Sequence, residues 1–246
     1  MTTISTDGGM TAFYEDYWAH RVERGDHTAG NRVKLRHEQA AGHLRRALAG
    51  RGEAKVLDLG CGDGLLGQVL EGEGWSLSGA DLSGRALDLC RPYYDELQRL
   101  DLDADAVPES WRGRFDGVAC LEVLEHLRRP EGALAKVREM LAPGGVAALS
   151  YPNLFSWKNR LVFLRGRWPE GYTTYDPMEH LQVFDLPGFR RLVAEAGLEV
   201  TGLEITPDLP RWKPARRAMF AGRGVLGRVC PSWSAMQINV YARRGA

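Results

Sequence analysis

The chain has 246 residues, enough for one large domain carrying insertions. Lys plus Arg and Asp plus Glu number 32 each, so net charge does not mark a general binder of nucleic acid or anionic membrane. Apolar residues make up 44% and charged residues 26%, the balance of a soluble globular protein, and no run has the eighteen or so apolar residues of a membrane span.

The opening "MTTISTDGGM" lacks the basic and apolar parts of a secretory signal and is expected to be loose. "TAFYEDYWAHRVE", Thr11 to Glu23, predicts an amphipathic helix with Phe13, Tyr17 and Val22 on one side. A second helix is predicted from Gly30 to Leu48 on Val33, Leu35, Ala40, Leu44 and Leu48. Together they make residues 1–50 a helical cap on a domain of residues 51–246. In that domain "AKVLDLG" reads as a buried strand, "LLGQVLEGEG" as a helix and "WSLSGADLS" as a strand ending at Asp81. "GRALDLCRPYYDEL" is a predicted helix, "LQRLDL" a third strand closed by Asp101, and "FDGVACLEV" a fourth strand running into a helix. "PEGALAKVREMLAPGG" predicts a helix with a Pro-Gly-Gly stop, then come strand "VAALSYP", helix "PGFRRLVAEAGL", segment "EVTGLEI" and terminal strand "SAMQINVYARR". This alternation predicts a doubly wound α/β sheet with insertions at 153–185 and 207–234. The four cysteines (Cys61, Cys90, Cys120, Cys230) form no CxxC pair, which points to free thiols in a cytoplasmic protein.

In "VLDLGCGDG", Gly60, Gly62 and Gly64 allow a sharp turn and a close approach of ligand to main chain, at a helix N-terminus that favours an anionic group. A dinucleotide fingerprint would put its third glycine at 65, which is leucine, so the spacing argues against NAD. Asp81 stands nineteen residues after Gly62, where a carboxylate can accept from ribose hydroxyls, and Asp101 is placed to accept from an adenine amine.

"VLDLGCGDG", Asp81, "DLDADAVP", "RFDGVACLEVLEHL" and "LAPGGVAALSYPN", in this order over residues 54–151, resemble the motif series of class I S-adenosylmethionine-dependent methyltransferases. They are most similar to the ubiquinone-pathway O-methyltransferases and related small-molecule enzymes. The resemblance implies a mostly parallel, seven-stranded Rossmann-like sheet with N-terminal helices and a lid insertion. It implies S-adenosyl-L-methionine as cofactor, with Asp58, Gly60, Cys61 and Gly62 at its methionine part, Asp81 and Leu82 at the ribose, and Asp101 and Leu102 at the adenine. Leu121 and Glu122 would lie beneath the sulfonium, and Arg36, or Arg32 near it, would meet the carboxylate. Tyr14, Tyr17 and Trp18 would lie over the cofactor.

Transfer to a hydroxyl requires a proton acceptor, and His126 in "EVLEHL" is the candidate, with His180 reaching toward it. A helix starting near Glu122 would put Glu122, Glu125 and His126 on one face. The alternatives are that Glu125 and His126 order the local backbone and that His180 caps the following helix. A divalent ion on Glu122, Glu125, His126 and His180 is the less favoured reading. Eight aromatics (Tyr151, Phe155, Trp157, Phe163, Trp168, Tyr172, Tyr175, Phe184) predict a lid over a small hydroxylated acceptor, aromatic, polyketide-like or sugar-containing. A lid mini-core or a homodimer surface competes with this, while the neutral charge disfavours nucleic acid. N- or C-methylation on the same fold is the runner-up, and a catalytically silent cofactor-binding subunit is the alternative from another class.

Overall fold

A computed structural model describes residues 9–25, 35–169, 180–207 and 230–245. Seven strands form one sheet in the order β3-β2-β1-β4-β5-β7-β6. They are β1 (Lys55–Leu59), β2 (Ser76–Asp81), β3 (Glu96–Arg99), β4 (Phe115–Leu121), β5 (Leu141–Pro152), β6 (Leu198–Pro207) and β7 (Ala235–Arg244). β1 to β5 pair in parallel, and β7 runs antiparallel between β5 and β6. The strand order reverses at β1, between β2 and β4, and that reversal opens a crevice at the carboxyl ends of the strands.

Strand alternation divides the core. Leu57 and Leu59 of β1 and Val118 and Cys120 of β4 face one layer, built with α5 (Pro130–Met140) and α7 (Leu186–Glu195). Val56, Ala119 and Leu121 face the other, where α2 (Leu35–Ala47) contributes Ala40, Ala41 and Leu44 at helical spacing, with α3 (Leu65–Leu70) beside it. Both faces of the central strands are thus covered, which explains their continuous apolar runs. The remaining helices are α1 (Gly9–Glu23), α4 (Gly84–Cys90), α6 (Trp157–Leu164) and a short α8 (Pro231–Ser234). None of the described helices is long and apolar enough to cross a membrane.

Four expectations need correction. The helix after β2 ends at Cys90, because Pro92 offers no N–H to continue it. A 3-10 turn at Arg91–Tyr93 follows, so β3 starts at Glu96 and ends before Asp101, which sits in a turn. The predicted Pro-Gly-Gly stop lies within β5, where the pairing with β4 shifts register between Phe115 and Gly117. In α1 the buried residue is Trp18, whereas Tyr17 is 37% and Val22 42% exposed. Residues 30–34 of the predicted second helix, including Arg32 and Val33, lie outside the described residues.

Candidate active site

The crevice widens into a cavity of about 700 Å³, large enough for a nucleoside-sized ligand and a small partner. α1 roofs it with Met10, Phe13, Tyr14, Tyr17, Trp18 and Arg21. Its other walls include Arg36, Asp58, Gly60, Cys61, Gly62, Asp81, Leu82, Asp101, Leu102, Leu121, Glu122, His126 and His180, so the residues singled out from sequence converge on one space.

The glycine turn first serves the protein's own packing. Gly60 has φ +70°, and a Cβ there would run into Val123 Cγ2. Gly62 has φ +53°, and its missing Cβ leaves room for the Trp18 ring, 3.0 Å from where that atom would stand. The turn is braced from below: Gly60 N and Cys61 N donate to Ala80 O at 2.7 and 3.0 Å. Asp81 ties it to the next helix, one carboxylate oxygen accepting from Gly62 N at 3.0 Å and the other from Ser83 N at 2.9 Å.

Two acids share this floor. Burial raises Asp58 to about 7, against the Tyr94 hydroxyl that donates to it at 2.6 Å, and the nearby Asp81 charge pushes the same way. Burial also raises Asp81, although the Ser83, Gly62 and Leu82 amides favour its charged form. A cationic ligand would relieve both carboxylates. For Asp58 the sign is set by a folded value above the unfolded one. The native state holds a proton that the unfolded chain has lost, so stability falls as pH rises from about 4 to about 7. Asp58→Asn is therefore expected to match the parent near pH 4 and exceed it at pH 8, by on the order of 2 kcal/mol or several degrees in Tm. Thermal melts of the ligand-free protein at both pH values check this.

After β4 the structure departs from the predicted helix. Glu122 has φ +57°, and only a 3-10 turn, Leu124–His126, follows. Glu122 consequently does not share a helical face with Glu125 and His126. Its carboxylate instead accepts from Gln237 Nε2 at 2.9 Å and Ser150 Oγ at 3.4 Å. Glu125 is 1% exposed, neither of its carboxylate oxygens has a hydrogen-bond partner, and burial followed by the Glu122 charge pushes it well above the usual carboxylate range. His126 lies with Nε2 3.9 Å from Glu125 Oε1 and its ring 5.0 Å from that of His180. Burial, then the His180 charge, lowers His126 to about 4. The contact is too long for a hydrogen bond, and burial disfavours the charged form of both groups. Glu125, His126 and His180 place one potential ligand atom each within 4.8 Å of one another, a donor set that suits a borderline divalent ion. His180 does not cap α7: Asp185 does, accepting from Gly188 N at 2.7 Å. The His180 segment is instead held by Glu125 O, which accepts from Leu181 N and Gln182 N.

Also at the cavity, Asp101 Oδ1 accepts from Asp103 N at 2.8 Å and Ala104 N at 3.3 Å. Lys136 Nζ donates to Leu102 O at 2.8 Å, which fixes the loop against α5.

A family model described as a methyltransferase domain matches residues 32–203. The ubiquinone biosynthesis O-methyltransferase of Azoarcus sp. is 34% identical over 69% of this chain and 72% of its own. That of Thiobacillus denitrificans is 33% identical over 66% of this chain and 72% of its own. In the solved structures, magnesium protoporphyrin IX methyltransferase from Synechocystis with bound S-adenosylhomocysteine covers 95% of this chain and 99% of its own, at 16% identity and a TM-score of 0.62. The chain belongs to the methyltransferase family. It is an S-adenosylmethionine-dependent enzyme, and the seven-stranded sheet with one antiparallel strand is that family's fold.

In this methyltransferase the described part of the aromatic insertion stands aside from the cavity. Of its residues only His180 lines that space. Phe163 packs edge-on against Trp168, and Trp157 lies 6.4 Å from Trp233 beside β7. Tyr172 and Tyr175, and residues 208–229 of the second insertion, lie outside the described residues. The roof is α1, and sequence reading missed two of its polar groups. Arg21 reaches within 3.9 Å of Asp63 on the glycine turn, and Glu15 contacts the start of α4. Neither of these two contacts carries a local sequence signal, because each joins residues more than forty positions apart.

Proposed function

We propose that this methyltransferase moves the cofactor's methyl group to a hydroxyl oxygen of a small metabolite, aromatic, polyketide-like or sugar-containing. The observation that carries the reading is the position of His126 at the cavity wall that continues from β4, its ring 5.0 Å from that of His180, where burial disfavours its charged form. The turn from Asp58 to Gly62 receives the methionine part, and Arg36, whose buried Nε has no hydrogen-bond partner, reaches for its carboxylate. Asp81 with Leu82 takes the ribose, Asp101 with Leu102 the adenine, and Leu121 and Glu122 underlie the sulfonium. Bound there, S-adenosylmethionine would supply its methyl group to the acceptor oxygen, the electron pair of the broken carbon–sulfur bond leaving with sulfur. His126 takes the hydroxyl proton, and α1 excludes water. Two relatives named as O-methyltransferases support the choice of oxygen over nitrogen or carbon.

A second reading has its own observation. Glu125, His126 and His180 would hold a divalent ion that acidifies the acceptor hydroxyl. The two are separated by following S-adenosylhomocysteine formation against a panel of hydroxylated aromatics. Under base catalysis, His126→Ala lowers kcat/KM by about 100-fold or more while chelator leaves the parent fully active. Activity lost to chelator and restored by zinc or manganese favours the ion. An undiminished rate in His126→Ala removes the histidine from both schemes.

A further inference from the structure

The roof helix is held by little apolar contact. Trp18 is the one residue of α1 that is buried, at 7% exposure. Glu15 ties the helix to α4, while Arg21 approaches Asp63 on the glycine turn. The Glu15 carboxylate accepts from Gly84 N at 2.7 Å, Ser83 Oγ at 3.1 Å and Arg85 N at 3.3 Å. Arg85 Nε stands 3.7 Å away. Burial opposes its charge, yet the Gly84 and Arg85 amides hold Glu15 below its ordinary value. All three donors belong to the start of α4, and Ser83 N also donates to Asp81. An unbroken chain of hydrogen bonds therefore runs from the roof through Ser83 and Asp81 to Gly62 on the floor. Beside it, Trp18 rests on Gly62 and Tyr14 meets the His126 ring edge-on at 6.2 Å. α1 and the glycine turn thus both line the cavity.

We propose that Glu15 is a positioning residue that clamps α1 over bound cofactor, and that α1 lifts as a gate to admit S-adenosylmethionine and release S-adenosylhomocysteine. Releasing the clamp frees the helix without touching the sheet, as expected of an element with few buried contacts. It also leaves Asp81 held by Gly62 N and Ser83 N.

The test is the binding kinetics of S-adenosylhomocysteine to the full chain, with Glu15→Ala and the milder Glu15→Gln. The expected result is that association and dissociation rates both rise about tenfold in Glu15→Ala, and less in Glu15→Gln, while Kd moves less than about threefold. Amide hydrogen exchange should quicken in α1 and stay unchanged in β1 and β4. Unchanged rates overturn the proposal. A rise in dissociation alone also overturns it, since that marks a lost cofactor contact rather than a freed gate. Faster exchange throughout the sheet does the same, by showing a structural defect.

Discussion

Asp81→Asn is expected to weaken S-adenosylhomocysteine binding by about 100-fold or more, equivalent to roughly 3 kcal/mol. Both carboxylate oxygens already accept backbone amides, from Gly62 and Ser83. An asparagine presents one oxygen and one amide, so a donor must face a donor at one of the two positions. The glycine turn or the start of α4 then shifts, and at the ribose contact proposed for this residue the remaining lone pairs would no longer carry a full negative charge. Asp101→Asn should cost less, because only Oδ1 of Asp101 supports its turn, through Asp103 N and Ala104 N. Calorimetric titration checks both variants. A Kd within about threefold of the parent in Asp81→Asn would remove Asp81 from cofactor binding.

How much of this was legible in the sequence depends on the range of the interaction. Strand ends such as Asp81 were readable because a short apolar run cut off by polar or glycine residues is a local signal. The α2 face was readable from the spacing of Ala40 and Leu44, with Leu48 just past the helix end in the same core. The segment after β4 was misread because "LEVLEH" carries no glycine or proline to announce a break. The strained Glu122 is held by Gln237 and Ser150, from strands much later in the chain. With φ reversed there, the helical i, i+3, i+4 argument for Glu122, Glu125 and His126 lost its premise. The cluster of Glu125, His126 and His180 forms anyway, because Glu125 O captures the amides of Leu181 and Gln182. Aromatic density in the 153–185 insertion suggested a lid, but its described aromatics do not line the cavity: composition cannot say which space a ring faces. The roof is built by a helix of weak apolar pattern, whose anchor Glu15 looks like any surface acid in the sequence.

The glycine turn offers the sharpest test of whether its residues serve ligand or fold. Gly60→Ala is expected to destabilise the ligand-free protein by about 3 kcal/mol, lowering Tm by roughly 10 °C. Part of this, about 1–2 kcal/mol, comes from holding an L residue at φ +70°. The rest comes from driving a methyl into Val123, which follows the strained Glu122 and must shift toward the cavity that it lines. Val123→Ala in the same background should return the steric part and leave the backbone part, so the two changes combine to less than their sum. Were the energies simply additive, Val123 would not be the obstacle, and the need for glycine at 60 would rest on the backbone angle alone. S-adenosylhomocysteine affinity of the double variant then separates fold from function. If the turn recovers its shape but binding stays weak, the added methyl occupies space that the methionine part of the cofactor needs. If binding returns with stability, Gly60 is there to seat Val123.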